Sequence, residues 1–163
     1  MGLFKLSFES EVIASPTKAW EWITSWKGIS SEMRPYFRMT APEGIYSIEN
    51  LNIILGQPLF RSQVFLFGFL PIDHSELTLI EFEKGSGFIE ESPMGSMKLW
   101  RHERRIIPTA GGCKIIDHLT FQPKMASSFV GWFIRTVFRH RHNVLRKNLG
   151  GTVSRSGSGA ARG

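Results

Sequence analysis

Between residues 58 and 122 the chain is cut into five strand-like segments, and every cut is made by turn chemistry. Leu59–Gly68, Ser75–Phe82, Phe88–Ser92, Lys98–Ile107 and Lys114–Gln122 are parted by Pro71-Ile72-Asp73, Lys84-Gly85-Ser86-Gly87, Pro93-Met94-Gly95 and the stretch from Pro108 to Gly112. Spacers this short join antiparallel neighbours. Pro123 ends the run, and Ser127 to Leu149 then carries a long helical pattern closed by Gly150-Gly151, glycine being the usual residue just past a helix end. An open sheet with an apolar face has to be covered, and only this last helix is long enough to do it. The pattern predicts an α+β chain in which a curved antiparallel sheet wraps a long C-terminal helix. A space opens between them wherever the filling side chains fall short.

The segment before residue 58 is less regular. Leu3 to Ala14 alternates (Phe4, Leu6, Phe8 against Lys5, Ser7, Glu9) and reads as a first strand. Ser15-Pro16 supplies an N-cap and a proline at the first helical position. That helix runs through Trp20 and Ile23 and is expected to break near Lys27-Gly28; a second short helix, Ile29 to Arg34, stops at Pro35. Residues 36–57 are poorly legible, with Ile45–Ile54 open to a strand or an irregular turn.

At 163 residues, 42% hydrophobic and 21% charged, the chain suits one domain with a real core. The expected organisation is a single domain over 1–149 and a flexible Ser/Gly/Ala/Arg tail over 150–163. The single Cys113 excludes an internal disulfide and a thiolate-rich metal site. No run reaches the roughly 18 apolar residues of a membrane span. Glu9 and Glu11 interrupt any signal layout, and Leu6 stands where a myristoylation motif beginning at Gly2 needs Ser or Thr. A cytoplasmic location is expected.

Charge is unevenly placed. Residues 1–100 hold 8 Lys/Arg against 12 Asp/Glu, whereas residues 101–163 hold 12 against 2. On a wheel of the last helix, Val130, Phe133, Ile134, Val137, Val144 and Leu145 share one face. Arg135, Arg139, His142 and Arg146 share the opposite one, bordered by Trp132. That stripe is either a solvated surface or a weak contact with anionic surfaces through Arg135, Arg139 and Arg146; nucleic acid is not the expected partner. Arg141 breaks the pattern, lying about 40° from Val137 inside the apolar face. A guanidinium there must find a carboxylate, and Asp117 and Glu91 are the expected partners, or be presented to a ligand.

The Lys98 strand is the other oddity. Trp100, His102 and Arg104 share one face, while Asp117 is a lone carboxylate among Ile115, Leu119 and Phe121 on the next strand. A slip of one residue in register would exchange Asp117 for His118 beside His102. The group is either a hydrogen-bonded network that fixes the sheet or an acid–base pair, His102 with Asp117 as its orienter. Glu90, Glu91 and Ser92 can join either version. Other chemistry is missing: Gly111-Gly112 leads into a strand and makes no phosphate loop, and His140 and His142 point to different faces of their helix. No metal or cofactor is expected.

The order of elements resembles the helix-grip fold of the SRPBCC superfamily, which includes START lipid-transfer domains, pollen-allergen-like plant proteins and polyketide cyclases. Specific words are similar too: Ile13-Ala14-Ser15-Pro16 followed by Ala19-Trp20, Glu90-Glu91-Ser92, Trp100-Arg101-His102-Glu103-Arg104, the segment from Asp117 to Pro123, and Arg141-His142. These resemble the bacterial ligand-binding branch, over residues 4–149. The resemblance implies a hydrophobic cavity between sheet and last helix, entered near the short helices and the strand-connecting loops. Expected wall residues are Phe65, Phe67, Phe82, Trp100, Phe121, Phe133, Val137 and Phe138, with His102, Arg104 and Arg141 as polar contacts. Three functions remain open: binding of a small hydrophobic or amphipathic (lipid- or polyketide-like) ligand, a cyclase or dehydratase using His102 and Asp117, and an interaction module built on the basic stripe.

Overall fold

The computed structural model of the chain describes residues 2–151. Strand β1 (Phe4–Val12) is followed by helices α1 (Pro16–Thr24) and α2 (Trp26–Met33), then β2 (Phe37–Met39), β3 (Pro58–Leu66), β4 (Leu70–Glu83), β5 (Gly87–Glu91), β6 (Met97–Thr109), β7 (Gly112–Pro123) and helix α3 (Ser127–Leu149). The strands form one antiparallel sheet in the order β1-β7-β6-β5-β4-β3-β2. The first and last strands in sequence are therefore neighbours, and the short β2 is left at the far edge. Helix α3 is tied at its C-terminal end to β1, where the Ile13 and Ala14 amides donate to the Gly150 and Leu149 carbonyls.

Two apolar clusters hold α3 on the sheet. At its C-terminal end Leu145 and Leu149 pack with Val12, Ile106, Cys113 and Ile115, together with Ala19, Trp20 and Ile23 of α1. Towards its N-terminus Ile134, Val137 and Phe138 pack with Met97, Leu119 and Phe121. Phe4 stacks on Phe121 with ring centroids 5.1 Å apart. The α+β arrangement expected from the turn-separated strands is present. The part of the expected tail from residue 152 onward lies outside the described residues.

Several local expectations are corrected. The break between the short helices falls at Ser25, not at Lys27-Gly28, because the Ser25 hydroxyl accepts from the Gly28 amide and caps α2. Gly28 thus lies inside α2, where a Cβ would come 2.0 Å from the Trp22 carbonyl oxygen. The β3–β4 turn is made by Phe67-Gly68, both at positive φ, and not by Pro71-Ile72-Asp73, which belong to β4. Pro71 is tolerated because β5 pairs only from Leu79 onward, so the opposite edge of β4 needs no ladder donor at Pro71. Residues 36–57 hold β2 and a 3-10 turn at Ile48–Asn50. That turn is pinned by the Trp20 indole, which donates to Glu49 at 2.5 Å.

The buried face of α3 comprises Gly131, Ile134, Val137, Phe138, Arg141, His142, Leu145 and Leu149. It is turned about 65° from the apolar face on the wheel. His142 is consequently buried and leaves the basic stripe, and Arg146 turns one amine to Ser10; only Arg135 and Arg139 of that set are exposed. The displacement arises because two polar side chains are packed inward with partners, which hydrophobicity alone does not register.

Candidate ligand-binding cavity

Between the sheet and the three helices lies a cavity of about 420 Å³. It exists because β3, β4 and β5 curl away from α3 while the α1–α2 pair closes the side, so side chains from all of them face one space without meeting. Ile23, Trp26, Ile29 and Met33 contribute from the short helices, Val64, Leu77 and Leu79 from the sheet, and Phe133, Val137 and Phe138 from α3. The mouth is marked by lining residues that also meet solvent: Phe67 at 55% exposure, Ile72 at 46% and Phe129 at 63%. Phe129 stacks on Phe133, which meets the rings of Tyr36 and Phe37 edge-on.

Of the residues singled out from sequence, Phe67, Phe82, Trp100, His102, Arg104, Phe133, Val137, Phe138 and Arg141 all line this space. Phe65 and Phe121 do not. Phe65 faces away from the cavity, with the Arg38 guanidinium 4.2 Å over its ring, because side chains alternate along β3 and its neighbours Val64 and Leu66 take the inward face. Phe121 is fully buried between Phe4 and Trp100 and serves the core. Asp117 also stays behind the wall.

The register places Arg104 opposite Asp117 and His102 opposite Leu119, while His118 lies opposite Glu103 with its side chain exposed. Asp117 becomes the hub of a buried network. Its Oδ1 accepts from His102 Nε2 and Arg104 Nε, each at 2.7 Å. Its Oδ2 accepts from Arg104 Nη2 at 2.7 Å and His142 Nε2 at 2.8 Å. Arg104 reaches beyond Asp117 to Glu32, with Nη2 3.0 Å from Oε1 and Nη1 3.3 Å from Oε2. Arg141 Nε donates to the same Glu32 at 3.2 Å. On the far side of α3, Arg146 donates to Ser10 Oγ at 2.8 Å, and Ser10 lies 2.7 Å from His142 Nδ1. Both ring nitrogens of His142 are thus taken up, Nδ1 by Ser10 and Nε2 by Asp117.

The electrostatics follow from that geometry. Burial alone would raise the Asp117 carboxyl, but the Arg104 charge, then His102, and the hydrogen bonds from both outweigh it and hold the group well below the usual carboxylate range. Glu90, beside the cavity, is shifted the same way: burial opposes, and His102, Ser92 and Arg141 prevail. Arg104 is desolvated, yet Asp117 and Glu32 push its pKa up, so it stays charged. Burial raises the Cys113 thiol, which suits a core residue and not a nucleophile. Among the described residues no group of three or more His, Cys, Asp or Glu is placed to hold a metal.

Arg141 is therefore paired, but with Glu32 and not with Asp117 or Glu91; Glu91 faces outward to Arg101 at 3.4 Å. Glu32 is fully buried on α2 and was missed. A signal existed: Ile29, Glu32 and Met33 share one face of a short helix, so an acid sat among apolar neighbours as Arg141 does on α3. Ser10 and His142 carried no comparable signal. Glu90 and Ser92 do join the polar group, through Ser92 Oγ donating to Glu90 Oε1 at 2.7 Å and His102 Nδ1 3.8 Å from Glu90 Oε2.

A seven-stranded antiparallel sheet curled about a long C-terminal helix, with two short helices closing a cavity, defines the class as a helix-grip fold. Residues 10–149 match the family model described as "Domain of unknown function (DUF8410)", and the chain belongs to that family. Among curated proteins none matches. Similar solved structures include protein CV1439 from Chromobacterium violaceum, at 9% identity and a TM-score of 0.68 over 89% of this chain and 96% of that one. The ZhuI aromatase/cyclase from Streptomyces sp. R1128 is similar at 8% identity and 0.65, covering 91% and 94%. Ara h 8.0201 is similar at 11% and 0.61, covering 91% and 98%. At such identities the likeness is one of fold.

Proposed function

We propose that this protein binds a small hydrophobic or amphipathic molecule, lipid- or polyketide-like, in the cavity between sheet and α3. The observation that carries the reading is the cavity itself: about 420 Å³, walled mostly by aromatic and aliphatic side chains, with Glu90, His102, Arg104 and Arg141 making one polar group in its lining. That is the build of a small-molecule site, in which apolar walls supply affinity and a few polar groups fix orientation. The aromatase/cyclase among the similar structures supports the same general reading. Among the described residues no helix is long and apolar enough to cross a membrane, in keeping with a cytoplasmic carrier.

Nile red, a neutral apolar dye, tests this directly. Saturable binding with a raised Tm is expected, since a ligand selective for the native state stabilises it by about 2.7 kcal/mol at 100 times its Kd. Val64→Trp, which projects into the cavity, should abolish both effects while leaving the fold intact. Absence of saturable binding by the parent protein counts against the reading.

One observation favours a second reading, an acid–base enzyme. His102 is gripped at Nε2 by Asp117 and turns Nδ1 toward Glu90 at the cavity wall, an arrangement in which an orienter sets the imidazole of a general acid or base. That reading requires turnover of a bound polyketide-like chain that His102→Ala removes while dye binding survives.

A further inference from the structure

The polar end of the cavity can be resolved into donors and acceptors already used and those left over. Arg104 is spent on Asp117 and Glu32, and each oxygen of Asp117 already accepts from two donors. His102 Nε2 is committed to Asp117. Besides His102 Nδ1, which has no hydrogen-bond partner among the described residues, two groups facing the cavity keep capacity. Arg141 uses Nε on Glu32, and its two Nη amines meet no acceptor among the described residues. Glu90 takes one hydrogen bond from Ser92 on Oε1, while its Oε2 stands 3.8 Å from His102 Nδ1, too far for a hydrogen bond. Phe138 lies between the two sides, with the Arg141 guanidinium 4.7 Å from its ring and the His102 ring 5.2 Å away edge-on.

The charge balance then decides what fits. Glu32, Asp117 and Glu90 bring three carboxylates against the two guanidiniums of Arg104 and Arg141, and both guanidiniums are already paired with carboxylates. Neither is a surplus positive charge for an anion to neutralise, and a dry site makes an uncompensated charge expensive. Arg141 alone would suggest an acid as ligand, but Glu90 faces the same space.

Resting on the cavity-binding reading above, we infer that the site selects amphiphiles with a neutral head that both accepts and donates hydrogen bonds, an alcohol, phenol or enol, over carboxylates. The head accepts from the Arg141 Nη amines and donates to Glu90 Oε2, directly or through a second hydroxyl on the same molecule. The apolar body lies against the aromatic wall.

Displacement of Nile red by dodecanol and by dodecanoic acid tests it, since the two share a chain and differ only at the head. Near about pH 8, where the acid is ionised, dodecanol should compete at least about tenfold more tightly, equal to about 1.4 kcal/mol. Glu90→Gln removes the carboxylate that faces the ligand head and should improve dodecanoate by about tenfold or more, with dodecanol changing much less. A second arm needs no variant: lowering the pH of the parent protein towards the acid's own pKa should strengthen dodecanoic acid and leave dodecanol unchanged. Dodecanoate binding as tightly as dodecanol at the higher pH, or no gain on acidification, overturns the neutral-head inference while the cavity reading stands. Failure of Nile red itself to bind overturns both.

Discussion

At the residue scale the polar network makes unequal demands on its members. Among the described residues Glu32 is the sole carboxylate partner of Arg141 and one of two for Arg104. Glu32→Leu strands a buried guanidinium and should cost about 3–5 kcal/mol. Arg141→Leu leaves Glu32 still paired with Arg104, so about 1–3 kcal/mol is expected, the value of a hydrogen bond to a charged group. Adding Arg141→Leu to Glu32→Leu should restore part of the larger loss. Urea midpoints of the three variants check the order; an Arg141→Leu cost exceeding that of Glu32→Leu would show the pairing to be misassigned. Asp117 adds a pH signature. Its folded pKa lies below the unfolded value, so its stabilisation is complete above about pH 4 and is lost as the pH falls through the folded pKa. Asp117→Asn should therefore be several kcal/mol less stable at neutral pH. It should also show a shallower loss on acidification, though not a flat one, because Glu90 is depressed in the same direction.

At the scale of elements, Gly28 shows how a packing demand overrides helix propensity. Alanine is the better helix former by about 1 kcal/mol, yet its Cβ at position 28 would strike the Trp22 carbonyl in the joint between α1 and α2. Gly28→Ala should destabilise the fold by about 1–3 kcal/mol, the usual range for an overpacked site, as measured by thermal or urea unfolding. Helix α3 supplies the opposite case. Arg135 and Arg139 are exposed and take no part in the network, so changing both to Gln should move stability by less than about 0.5 kcal/mol and leave Nile red binding intact. Arg146 cannot be grouped with them, because it donates to Ser10, which in turn hydrogen-bonds the buried His142.

At the scale of the whole molecule, the sheet and α3 meet firmly at the β1–β7–β6 side and part at the β3–β4 side, and the cavity is the gap. A neutral ligand held there is bound by apolar burial, so its affinity should hardly change between about 0.05 and 0.5 M salt. A steep fall with salt would instead point to the exposed arginines. The mouth lies between the Phe67-Gly68 turn and the first turns of α3, where Phe67, Ile72 and Phe129 are both wall and surface.

Turn chemistry, the one long helix and the caps at Ser15 and Gly150 were enough to establish the order of the main elements, though not β2, and the gripping architecture, because these signals are local and read directly along the chain. Arg141 and Asp117 could likewise be recognised as buried polar residues, since each interrupts an apolar face, and His102 on the adjoining strand as a partner of Asp117. The partners on distant elements could not. Glu32 stands 109 residues from Arg141 and Ser10 stands 132 from His142, and only the closure of α2 and β1 onto α3 brings such pairs together. The same closure turned α3 toward His142 and buried Phe121 in the core, whereas Phe65 points outward simply because Val64 and Leu66 beside it point inward. Pairing across the fold depends on where whole elements dock, and a periodic pattern on one element carries no information about the element that comes to face it.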